Sequence, residues 1–132
     1  MTGNALSAGT ARIIAAEPQL FVADLAAAIG FYVDRLGFTL AFAYGTPAFY
    51  AQVKRGGASL NLRATDRPTG PRAGESDALS ATLTVNDAQQ LFLEFEQAGA
   101  TFHQPLRTEP WGAHTFIVAD PDGNLLCFAG TA

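Results

Sequence analysis

The chain holds one cysteine, one tryptophan and two histidines among its 132 residues. A lone thiol can neither close a disulfide nor build a multi-thiolate zinc site, and such sparing use of cysteine points to a reducing compartment. Eight Lys and Arg stand against twelve Asp and Glu, for a formal charge of −4. The basic residues form no cluster, so the electrostatic footprint of a nucleic-acid binder is missing. No segment approaches the roughly 18 consecutive apolar residues that cross a bilayer. The opening "MTGNALSAGTARIIAAE" lacks the basic start and apolar run of an export signal. These absences lead us to expect a cytoplasmic protein that partners neither membrane nor nucleic acid. What is abundant is apolar: 48% of the residues, ten Phe among them. That is enough for a single domain over residues 1–132 with a sizeable core, and the acidic balance suits a neutral or cationic small ligand.

The chain also repeats itself. "LFVADLAAAIGFYVDRLGF" from Leu20 and "LTVNDAQQLFLEFEQAGATF" from Leu83 share an order: a β-favouring run, an Asp, a helical pattern and a Gly. Asp24 and Asp87 stand where an N-cap belongs, and Gln90 supplies a capping-box partner for the second. Leu25, Ala28, Ile29, Tyr32 and Leu36 give the first helix one apolar stripe, and Ala88, Leu91, Phe92 and Phe95 do the same for the second. Gly37 and Gly99 end them. "FYAQVKRGGASLNLRA" and "FIVADPDGNLLCFAG" then read as strand, turn and strand. This alignment pairs Gly57 with Gly123, and Asn61 with Cys127. The expected architecture is α+β: two tandem βαβββ modules of curved mixed sheet around a groove. Module 1 spans about 14–64 and module 2 about 79–129, joined by a Pro- and Gly-rich linker over about 65–78.

Alternation within the strands marks one polar sheet face. Ser59, Asn61 and Arg63 alternate with Ala58, Leu60 and Leu62; Ser80, Thr82 and Thr84 alternate with Ala81, Leu83 and Val85. Glu17 and Gln19 continue the pattern at the front, with Phe21 falling on the polar side. Phe21, Phe42, Tyr44 and either Phe49 or Tyr50 are available to line a groove, and polar groups mixed with aromatics are what small-ligand pockets carry.

The repeat, the "FYVDRLGF" helix end and "EPWGAHTFIVADPDGNLLCF" together resemble the vicinal-oxygen-chelate superfamily of glyoxalases, bleomycin-resistance proteins and extradiol dioxygenases, over about residues 14–129. That fold hosts lyases, isomerases, thiol transferases, dioxygenases and non-catalytic binders. In the metal-dependent members, ligands open each module and recur on its last strand, which the resemblance maps to Glu17, Asn61, Ser80 and Cys127. Of these only Glu17 is a good ligand for a divalent ion, and Cys127 replaces the usual last-strand Glu. His103 and His114 fall outside the corners, His114 where many relatives carry Arg. No metal or other cofactor is therefore expected.

The resemblance is nearest to the bleomycin-resistance branch, whose members are dimers that hold cationic aromatic antibiotics between subunits without turnover. It implies a homodimer binding a small molecule through Glu17, Gln19, Phe42, Asn61, Ser80, Trp111, His114 and Cys127, with Glu17 or Glu109 supplying charge. Against these roles, Trp111 is read first as a turn residue packing the module interface and Arg63 as a surface position, while His114 suits a solvent-facing strand residue as well as the groove. The alternatives are a glyoxalase-like lyase or dioxygenase with an atypical site, using Cys127, Glu17 and a water, and a module that binds a protein partner.

Overall fold

The structure is a computed structural model that describes residues 9–67 and 78–131. Residues 68–77 of the expected linker lie outside the described residues.

Each half runs strand, helix and three strands: β1 (Gln19–Val22), α1 (Leu25–Asp34), β2 (Thr39–Gly45), β3 (Ala48–Arg55) and β4 (Ala58–Ala64), then β5 (Ala81–Val85), α2 (Ala88–Gln97), β6 (Phe102–Thr108), β7 (His114–Ala119) and β8 (Leu125–Gly130). The strands form two four-stranded mixed sheets in the orders β1-β4-β3-β2 and β5-β8-β7-β6. The first strand of each half lies parallel to the last, and the other pairings are antiparallel.

Local chemistry sets the helix ends. Asp24 accepts the Ala27 N–H at 3.0 Å and Asp87 accepts the Gln90 N–H at 2.9 Å, so both carboxylates cap first-turn donors. Gly37 and Gly99 adopt φ of 71° and 81° just past the last turns, where any side chain would be strained. In the first hairpin the left-handed residue is Gly56, not the Gly57 that the repeat alignment singles out. The two turns differ in length, so the alignment slips there by one residue.

One core serves both halves. Leu25, Ala28, Tyr32 and Leu36 from the first helix stripe and Ala88 and Phe95 from the second join Val53, Leu60, Phe116 and Phe128 in a single buried cluster. The Phe116 and Phe128 rings stack with centroids 5.1 Å apart, and Phe95 meets Phe128 edge-on. Cross-half bonds tie the packing: Arg35 Nη1 donates to Ala98 O, and Arg55 pairs with Glu94 at 2.7 Å. Because the helix-facing sides of both sheets share this core, their other faces are left for ligands or partners. Among the described residues no helix is long and apolar enough to cross a membrane.

Candidate functional site

Strand register lines up two equivalent rows on the faces turned away from the helices. Across β1, β4, β3 and β2 stand Gln19, Asn61, Gln52 and Phe42. Across β5, β8, β7 and β6 stand Thr82, Cys127, Ile117 and Gln104. Asn61 and Cys127 hold the same place in their sheets, as the repeat implies.

The first row is a wired polar cluster beside exposed aromatics. Glu17, two residues ahead of Gln19, accepts through Oε1 from Gln52 Nε2 at 3.2 Å and from Asn61 Nδ2 at 3.3 Å. Gln52 Nε2 also donates to Asn61 Oδ1 at 2.9 Å. These bonds satisfy Asn61, which is buried in mid-strand and needs partners there. Next to them Phe42 and Tyr50 lie 6.0 Å apart, and Phe21, Phe42 and Tyr44 are 48%, 44% and 66% exposed. Of the two alternatives for the third strand, Tyr50 shares this face. Phe49 also reaches that face at its end, packing edge-on against Tyr44 with the Arg63 guanidinium 5.7 Å from its ring centre.

The second row surrounds a carboxylate. Glu109, in the β6–β7 connection, accepts through Oε2 from Thr115 Oγ1 at 2.6 Å and from Arg107 Nε at 2.9 Å, while Gln104 Nε2 donates to Thr115 Oγ1 at 3.2 Å. The Thr115 and Arg107 bonds favour the anion and hold the Glu109 carboxyl below its usual range. Burial pushes the Cys127 thiol up, the Glu109 charge pushes it further, and Arg107 offsets only part. The thiol therefore stays protonated at neutral pH and is a poor nucleophile.

The sequence-derived site residues divide accordingly. Glu17, Gln19, Asn61 and Phe42 come together on the first sheet, and Cys127 sits beside Glu109 on the second. Ser80 lies just before β5, its Oγ at 3.5 Å from Asn124 Oδ1. Trp111 is 75% exposed in the β6–β7 turn, so it does not pack the module interface. His114 is in phase with Phe116 and Val118 on the helix-facing side and bonds Thr108 Oγ1 through Nδ1 at 3.0 Å. Gln52, Thr115 and Gln104 escaped sequence reasoning. For Gln52 a signal existed: counting back from the hairpin turn pairs it with Asn61.

The corner set does not suit a divalent ion. Glu17 is the one carboxylate of the four and its Oε1 is shared by Gln52 and Asn61, the Asn61 amide is engaged with Gln52, and Ser80 and Cys127 add only a weak neutral hydroxyl and a single thiol. Among the described residues no three His, Cys, Asp or Glu side chains gather in one place.

Residues 13–128 match the family model of the Glyoxalase/Bleomycin resistance protein/Dioxygenase superfamily. The bleomycin resistance protein of Geobacillus stearothermophilus is 28% identical over 124 residues, covering 84% of this chain and 92% of that protein, and one from Staphylococcus aureus gives the same figures. Among solved structures, the bleomycin-binding protein of bleomycin-producing Streptomyces verticillus, in complex with copper(II)-bleomycin, superposes with a TM-score of 0.73 at 27% identity over 93% of this chain and 99% of that one. TioX from Micromonospora sp. ML1 superposes at 0.68 with 27% identity, covering 90% and 97%.

Proposed function

This chain belongs to the Glyoxalase/Bleomycin resistance protein/Dioxygenase superfamily, and from that premise we propose that it is a metal-free homodimeric binder of a cationic, aromatic small molecule of the bleomycin type. One observation carries the reading: exposed Phe21, Phe42 and Tyr44 and half-buried Tyr50 share a sheet face with the Glu17 carboxylate, with Arg63 standing between Phe21 and Tyr50. Rings of this kind offer flat faces for stacking a heteroaromatic group, and a carboxylate on the same face pairs with its positive charge. Glu17 Oε2 makes no bond to any described residue and is available for that cation.

Strand β2 points to the homodimer. Every residue of this strand is exposed, including Leu40, Phe42 and Tyr44. An apolar edge strand left bare in this way invites a second surface to cover it. A second copy seated on this strand would remove those side chains from water.

Calorimetry with metal-free bleomycin, run alongside light scattering, tests the proposal. Expected are a dimer and saturable binding, weakened about five- to tenfold by Phe42→Ala and by Glu17→Gln, in line with roughly 1 kcal/mol per contact. A strict monomer that binds no member of a panel of cationic aromatic compounds refutes it. Stoichiometric zinc, nickel, manganese or iron in protein purified without chelator refutes the metal-free part.

A further inference from the structure

The repeat creates two equivalent junctions where the outer edge of a first strand meets the hairpin turn of the other half. At one of them the chain fills the junction itself. Asp122 Oδ1 accepts the Ala23 N–H at 2.8 Å, and Asn124 Nδ2 donates to Phe21 O at 3.0 Å. Asp120 anchors both, accepting the Asp122 and Asn124 backbone N–H groups and Asn124 Nδ2, while Tyr32 Oη donates to its Oδ2.

At the other junction Thr84 and Asn86 take the places of Phe21 and Ala23, three and one residues ahead of the N-cap Asp87 as those are ahead of Asp24. The facing turn is shorter. Arg55, Gly56, Gly57 and Ala58 lie between the paired Lys54 and Ser59, against Asp120 to Asn124 between the paired Ala119 and Leu125. Ala58 stands in for Asn124 and ends at its Cβ. Arg55, the counterpart of Asp120, is bound to Leu36 O at 2.8 Å and to Glu94 at 2.7 and 3.0 Å. No described side chain bonds to Thr84 O or the Asn86 N–H. The result is a cavity of about 540 Å³ with Phe38, Leu60, Leu91 and Phe95 in its walls and Thr84 and Asn86 at its edge. A Cβ added at Gly56 or Gly57 would meet nothing within 4 Å.

We propose that this cavity is a binding site for a small molecule that carries an amide on an apolar body. The ligand's N–H donates to Thr84 O as Asn124 does to Phe21 O, and its carbonyl accepts the Asn86 N–H as Asp122 accepts that of Ala23. The apolar part lies against Phe95 and Leu91 and removes their surface from water. Neither Phe42 nor Asn61 nor Cys127 lines the cavity, so the site is separate from the aromatic row.

Nuclear magnetic resonance of the ¹⁵N-labelled full chain titrated with benzamide tests it. Benzamide should shift the Asn86 and Gly57 amides saturably in the millimolar range, and toluene, which lacks the amide, should bind at least about tenfold more weakly, a difference one hydrogen-bonded group accounts for. Ala58→Asn, which supplies the missing carboxamide from the chain, should weaken benzamide about tenfold. Leu91→Trp should fill the cavity and abolish binding by volume alone, and neither variant should change the affinity for bleomycin. Benzamide shifts centred on Tyr50 and Gln52, undiminished binding in folded Ala58→Asn and Leu91→Trp proteins, or no saturable shift at all would overturn the proposal.

Discussion

Cys127 and Tyr32 show how far a single residue's neighbours decide its chemistry. The Cys127 thiol is pushed up by burial and by Glu109, so iodoacetamide should modify it more slowly than a free thiol at neutral pH, with the rate rising only above the ordinary thiol range; mass spectrometry follows the reaction. Cys127→Ser should leave ligand affinity within about twofold, since no bond of the thiol is lost. Tyr32, fully buried, donates to Asp120 Oδ2, and Tyr32→Phe should lower unfolding free energy by about 1–2 kcal/mol in urea titrations. At this scale the sequence was readable where the repeat supplied a counterpart, as with Asn61 and Cys127. Glu109 was legible only as a charge, because its partners Thr115 and Arg107 are set by a strand register with two irregularities in β6.

The helices were the most legible elements, since an N-cap, a stripe and a terminal glycine are all local signals. Asp24→Ala should cost about 1 kcal/mol of stability by removing the acceptor for the Ala27 N–H, and Asp87→Ala a similar amount, both measurable by thermal or urea unfolding. The β3–β4 and β7–β8 hairpins were also visible, through their glycines. Strands β2 and β6 were harder. Phe42 and Tyr44 were legible as groove residues, but alternation cannot reveal that β2 buries neither face, since Leu40 and its neighbours are exposed only because the sheet order places the strand at an edge. The His114 face was likewise hidden, for it depends on whether β7 starts in phase with Thr115 or with Phe116.

Across the whole molecule, charges join the two halves as well as apolar packing. The Arg55 guanidinium holds the Glu94 carboxyl below its usual range, so this pair contributes stability above that range and loses it as pH falls through the lowered value. Unfolding of the wild type and Glu94→Gln, followed from about pH 7 to about pH 3, should give curves that converge in acid. At neutral pH the gap should be no more than about 1 kcal/mol, because the pair is half exposed. Asp120 runs the other way: burial outweighs its hydrogen bonds and raises it, so its contribution is largest below the ordinary aspartate value and fades as pH rises through the raised one. Arg55 and Asp120 occupy the same position in the two halves with opposite sign, each set against the aromatic residue eight places past the other half's N-cap, Phe95 and Tyr32. Two copies of the first half would turn a guanidinium toward the Tyr32 hydroxyl, and two copies of the second would press a carboxylate onto the Phe95 ring. The observed pairing instead sets the cation over the ring face, which attracts it, and the carboxylate against a hydroxyl that donates to it, so at this position the two halves are matched to each other rather than interchangeable.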